Sequence, residues 1–201
     1  MKVELDKTFP MPGSAEVTWK FLQDIEAVAG CMPGARITER DASGAYKGTV
    51  TVKVGPATMS FRGTVEVRDV DAASRSLRLL GKGTDSTGTS GASMDLAARV
   101  ESAADGVSSL VGKSEVTMSG KAAAFGGRMM SSVADQVMSQ FAQNFAARVS
   151  ALAAEQPAAA AASPGTDAPQ AAPPPAELDG LALLWAAFKS WLCGLVRRRS
   201  T

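Results

Sequence analysis

AYKGTVTVKVGPATMSFRGTVEVR, residues 45–68, is the stretch on which the fold turns. Tyr46, Gly48, Val50, Val52 and Val54 alternate with Lys47, Thr49, Thr51 and Lys53. After Gly55–Pro56, Met59, Phe61, Gly63, Val65 and Val67 alternate with Ser60, Arg62, Thr64, Glu66 and Arg68. A period of two sends apolar residues and glycine to one face and charged residues and hydroxyls to the other. That is a hairpin in an antiparallel sheet with one covered face.

The same period runs from Arg36 to Gly120, with further strands around Leu77–Gly83, Met94–Val100 and Leu110–Met118. It also governs KVELDKTF near the start, where Val3, Leu5, Lys7 and Phe9 share a face. Between these regions Pro12, Gly13 and Ser14 form a turn. Ser14 is placed to cap a helix through Trp19, Phe21 and Leu22, and a second short helix, DIEAVAGCM, ends at Pro33–Gly34.

Past Lys121 the period changes. In KAAAFGGRMMSSVADQVMSQFAQNFAARVSALAAE, apolar residues recur at Met130, Val133, Val137, Met138, Phe141, Phe145, Val149 and Leu152. This spacing predicts one amphipathic helix of about eight turns. One strand, two short helices, about six antiparallel strands and a long helix make an α+β arrangement, with the last helix lying across a curved sheet of about seven strands.

The inward positions raise the functional question. Gly48, Gly63, Gly81, Gly83 and Gly112 fall among Met59, Met94 and Met118, and the helix adds Met129, Met130 and Met138. Glycine weakens a strand, so several on a covered face mean a sharp bend or space left open. Methionine adapts to irregular surroundings. Two readings stand: an apolar cavity, or a packed core in which methionine fills and glycine bends. The cavity reading names Met59, Phe61, Val65, Leu79, Met94, Leu96, Val116, Met118, Met130, Val133, Val137 and Phe141 as ligand-binding.

Catalytic constellations are missing from the sequence. It has no histidine, which removes the commonest general base, metal ligand and triad member. GGR at 126–128 lies at the helix and is no phosphate loop. Cys31 lacks a histidine partner and reads as a buried structural cysteine, while Asp24, Glu26, Glu39 and Asp41 read as a solvated rim. The expectation is a protein that is not an enzyme, with no metal and no covalent cofactor.

Charge and composition divide the chain. Residues 1–155 carry 17 Lys/Arg and 17 Asp/Glu, without the basic excess that nucleic-acid binding needs. Residues 156–177, QPAAAAASPGTDAPQAAPPPAE, are dominated by Pro and Ala and read as a semi-extended linker. Cys31 and Cys193 make no disulfide framework, and the first residues lack the apolar run of a signal peptide, so a reducing, cytoplasmic setting is expected.

The order of elements, together with CMPGARITE, YKGTVTVKVGPATMSFRGTVEVRDVD and FGGRMMSSVADQVMSQFAQNF, resembles the CoxG family of carbon monoxide dehydrogenase proteins over about residues 1–150. That family is a branch of the START/Bet v 1-like (SRPBCC) helix-grip superfamily. The specific pieces are Cys31–Pro33–Gly34, the turn Val54–Gly55–Pro56 and the helix entry Phe125–Gly126–Gly127. The resemblance implies a helix-grip fold with an apolar cavity between sheet and helix. It further implies a monomeric, non-catalytic accessory to a molybdenum carbon monoxide dehydrogenase or a related hydroxylase, with the redox centres held by that partner. A respiratory quinone, or else a lipid, is the ligand such a setting suggests. The alternative is a recruitment or assembly factor whose cavity is incidental.

Residues 178–201 bear on location. Leu181, Leu184, Trp185, Phe188, Trp191, Leu192 and Leu195 form one helical stripe, opposite Lys189 and followed by Arg197, Arg198 and Arg199. Gly180–Val196 is 17 residues, about 26 Å of helix against a hydrocarbon core of roughly 30 Å. Lys189 would sit near mid-membrane in a span, and a cytoplasmic body would put the arginines on the wrong side. The reading is a membrane-anchoring helix lying in the interface. It places the protein at the cytoplasmic face of the inner (plasma) membrane, beside its lipids and quinone pool.

Overall fold

The computed structural model describes residues 1–155. In chain order these form β1 (Lys2–Met11), α1 (Ala15–Leu22), α2 (Ile25–Cys31), β2 (Ala35–Arg40), β3 (Tyr46–Val54), β4 (Ala57–Asp71), β5 (Ser76–Asp85), β6 (Ser90–Ser102), β7 (Ser108–Gly120) and α3 (Gly127–Glu155). One seven-stranded sheet has the order β1-β7-β6-β5-β4-β3-β2, antiparallel throughout. Helices α1 and α2 carry the chain from one sheet edge, β1, to the other, β2. The 29-residue α3 touches both β1 and β3, so the sheet curls far enough for both sides to reach one helix.

That curl has a visible cause. Gly48 pairs with Gly63, and Gly63 pairs with Gly83, so a row without side chains crosses three strands on the helix-facing side. A Cβ on Gly63 would lie 1.9 Å from the Lys82 carbonyl oxygen and 2.6 Å from the Gly83 Cα. One on Gly48 would lie 2.5 Å from the Arg36 carbonyl oxygen. These obstacles are backbone atoms and cannot swing aside, so Gly48 and Gly63 admit no side chain, while a Cβ on Gly83 would lie a tight 3.3 Å from the Arg62 carbonyl oxygen.

The expected elements are present, with longer strands than the alternation alone bounded. Ser14 caps α1 as its sequence position suggests, its hydroxyl accepting from the Val17 N–H at 3.3 Å. Residues Lys121–Phe125 form a short 3-10 turn, so the long helix begins only at Gly127. Hairpin turns are fastened by aspartates. Asp41 accepts from the Ser43 and Ala45 backbone, Asp71 from Ala73 and Asp85 from Ser90. Hydrogen bonds, led by the hydroxyls of Ser43, Ser74 and Thr87 respectively, hold all three carboxyls below the usual aspartate range.

Two apolar clusters secure α3. The larger packs Met11, Trp19, Phe21, Cys31, Leu77, Val100 and Leu110 around the fully buried Phe145 and Val149. Phe145 meets the edge of Phe21 at 4.7 Å between ring centroids. The smaller joins Val3, Val54 and Met130, with Val52, Met59, Met118 and Val133 against them. Met129 is 43% exposed, against the expectation that it faces the sheet, because it lies about 100° around the helix from the buried Met130.

Gly63→Ala should destabilise the protein by about 1–3 kcal/mol, since backbone must move to admit one methyl group. Gly112→Ala should change stability by no more than about 0.5 kcal/mol, its nearest neighbour being Leu96 Cδ1 at 3.7 Å. Urea denaturation of the two variants checks the contrast.

Candidate functional site

The inner face of the sheet is laid out in cross-strand rows. Val65, Gly81, Met94 and Val116 form one row, and Leu79, Leu96 and Ser114 form the next. In a closed core such residues would join the clusters at either end. On the sheet Phe61, Val65, Met94, Leu96 and Val116, and on α3 Val137, join neither cluster and stay half-buried. Val50, at the corresponding level of β3, is 38% exposed. The buried packing of α3 therefore lies toward its two ends, and the apolar side chains between the two clusters stay half-buried.

The twelve residues expected to bind a ligand divide accordingly. The six just named are half-buried and belong to neither cluster. Leu79 and Phe141 pack on the larger cluster, and Met59, Met118 and Val133 on the smaller. Met130 is 6% exposed and forms part of the smaller cluster. A Cβ on Gly81 would meet the Met94 side chain at 3.3 Å, and one on Gly112 would meet Leu96 Cδ1 at 3.7 Å. The period-two pattern also puts position 114 inward, but a serine there is inconspicuous among valines and leucines. Its hydroxyl oxygen is buried and has no hydrogen-bond partner.

Charged groups near the inner face hold the fold together. Lys7, on the inner face of β1, bridges to Asp135 of α3 at 2.8 Å and reaches solvent at the rim. Asp24 caps α2 by accepting from the Ala27 N–H at 3.0 Å. Glu39 pairs with Lys47 at 3.1 Å, Asp41 builds its turn, and Glu26 lies exposed in the first turn of α2. Among the described residues no group of three His, Cys, Asp or Glu gathers as a metal site. On the opposite face, Arg62, Thr64, Lys82, Thr84, Ser93, Thr117 and Ser119 line an open depression of about 410 Å³. Its walls are hydroxyl and cationic, unlike the inner face.

The linker and the anchoring stripe, Leu181 to Arg199, lie outside the described residues. No described helix is long and apolar enough to cross a membrane.

A model of the carbon monoxide dehydrogenase CoxG family matches residues 8–150. The chain belongs to that family. No curated protein sequence matches it. Among solved structures, a conserved protein from Geobacillus kaustophilus is similar at 19% identity and a TM-score of 0.66, over 74% of this chain and 96% of that one. The ZhuI aromatase/cyclase from Streptomyces sp. R1128 is similar at 17% identity and a TM-score of 0.54, over 81% and 99%. A START superfamily protein from Mycobacterium smegmatis is similar at 17% identity and a TM-score of 0.50, over 74% and 98%. At these identities the likeness is one of fold: the helix-grip arrangement of START and Bet v 1-like proteins.

Since one neighbour of this fold is named as an enzyme, the state of the single described thiol matters. Cys31 is 2% exposed and sits in the larger cluster, its Sγ donating toward the Ala27 carbonyl at 3.5 Å. Burial pushes its pKa up, only partly opposed by the charge of Arg148, so the thiol stays protonated at neutral pH. In a Cys193→Ser chain, Cys31 should react with Ellman's reagent at least about tenfold more slowly when native than in urea. Equal rates would mark it as an accessible nucleophile.

Proposed function

We propose that this protein is a non-catalytic accessory of a molybdenum carbon monoxide dehydrogenase, or a related hydroxylase, that carries an apolar molecule between the sheet and α3. Family membership supports the partner, and the half-buried middle of the inner face carries the reading of a carrier. Groups such as Val65, Met94 and Val137 would be closed over in a protein that only docks. A respiratory quinone is the proposed cargo. It is too apolar to leave the membrane unaided, and a soluble oxidoreductase must pass its electrons to such a pool. Residues 178–201 are proposed to hold the protein at the cytoplasmic face of the membrane, their tryptophans in the interface and their arginines on anionic headgroups.

Organic extraction and mass spectrometry of the purified full chain should recover one apolar species in near-stoichiometric amount. A Val65→Trp chain should lose that species while giving up less than about 1 kcal/mol, below the 1–3 kcal/mol typical of overpacking a filled core. Recovery of no apolar molecule, with Val65→Trp strongly destabilised, would mean the interior is packed and the carrier reading is wrong. Electron transfer unimpaired by Val65→Trp would instead favour a recruitment role.

Removing residues 178–201 should shift the protein from the membrane to the soluble fraction on cell fractionation. An unchanged distribution would place the membrane contact elsewhere.

A further inference from the structure

The outer face of the sheet, away from the clusters that hold the helices, is ordered by charge. One register row runs Arg36, Thr49, Arg62, Thr84, Gly91 and Ser119, from β2 to β7. The next runs Lys47, Thr64, Lys82, Ser93, Thr117 and Lys2, from β3 to β1. Cations and hydroxyls make up both rows apart from Gly91, and neither row holds a carboxylate. The open depression of about 410 Å³ lies across the middle of this band.

The carboxylates that border the band are already matched. The adjoining row runs Glu66, Leu80, Asp95, Glu115 and Glu4. Glu66 pairs with Arg68 and Asp95 with Arg78, while Lys2 holds Glu115 at 2.8 Å and Glu4 at 2.9 Å. Past the other row, Asp85 accepts from the Thr87 hydroxyl and from the Ser90 N–H at 2.7 Å. Lys47 is taken by Glu39 at 3.1 Å. Arg36, Arg62 and Lys82 remain, and among the described residues none of the three is in an ion pair. Arg62 and Lys82 are exposed diagonal neighbours on β4 and β5, where like charges repel.

Resting on the reading of the protein as an accessory, we propose that this band is where it docks an acidic surface of its partner enzyme. Partner carboxylates enter the depression, pair with Arg62 and Lys82, and accept from the hydroxyls of Ser93 and Thr117. Docking on this face leaves the apolar inner side uncovered. A bilayer surface fits less well, because neither row offers an apolar or aromatic side chain to enter the interface. Nucleic acid fits less well too, since the rows lack aromatic stacking groups and the charges of residues 1–155 cancel.

The test measures binding of the full chain to the dehydrogenase of the same organism by biolayer interferometry across a salt series. Arg62→Glu/Lys82→Glu should weaken binding at least about tenfold near 50 mM salt, and the deficit should shrink to about twofold near 0.5 M. Lys20→Glu/Arg148→Glu makes the same charge change on α1 and α3 and should bind as wild type does. Should the first pair fail to fold, Arg62→Gln/Lys82→Gln carries the test, with about threefold weakening expected. If the enzyme binds wild type and the Arg62/Lys82 variants equally, this docking face is refuted and the accessory reading stands. If those variants instead lose binding only to phosphatidylglycerol-containing vesicles, the band is a membrane contact and the proposal is equally refuted. If the enzyme binds wild type at no salt concentration, the accessory reading fails and the docking face with it.

Discussion

Close backbone approach along the row Gly48, Gly63 and Gly83 is the constraint on which the rest depends. A sheet with side chains on that row would keep its strands apart and stay more open. Without them it folds inward until β1 on one side and β3 on the other both meet α3. The grip on the helix is thus set by atoms that are missing. A substitution there acts on the shape of the whole sheet, whereas one at Gly112 meets ordinary contact distances.

Packing then concentrates at the two ends of the helix. The cluster around Phe145 and Val149 includes α1 and α2, and truncating a residue such as Phe145 would cost about 3–5 kcal/mol. The cluster around Met130 closes the other end with fewer buried side chains. Apolar side chains left half-buried contribute less to stability than closed packing would, which fits the proposed role of this face in holding an apolar molecule. The unmatched hydroxyl of Ser114 lies in that same stretch.

Much of this is legible in the sequence because strand parity is a strong signal. Alternation places Lys7 and Phe9 on the same side of β1 as Val3, and the register agrees. What alternation cannot decide is why each glycine is there. Gly63 answers to the carbonyl of Lys82 and Gly112 only to the methyl of Leu96, and both facts belong to pairing across strands. Helical position misleads at Met129, because its neighbour Met130 carries the packing. Ser114 is inconspicuous because a serine in a strand is ordinary, and only the lack of a partner sets it apart. The linker and the stripe from Leu181 to Leu195 lie beyond the described residues, so they rest on composition and spacing alone.

Chemical roles follow the same division between ends and middle. Asp24 and Asp41 read as a rim in the sequence, yet each holds backbone N–H groups of its own turn or helix start. Cys31 is kept protonated inside the larger cluster, and its carbonyl accepts from the Asn144 side chain of α3 at 2.9 Å. Asp24 and Asp41 thus serve their own helix start and turn, while the Cys31 carbonyl ties α2 to α3. The middle of the inner face carries half-buried apolar side chains, which fits the proposed holding of an apolar molecule.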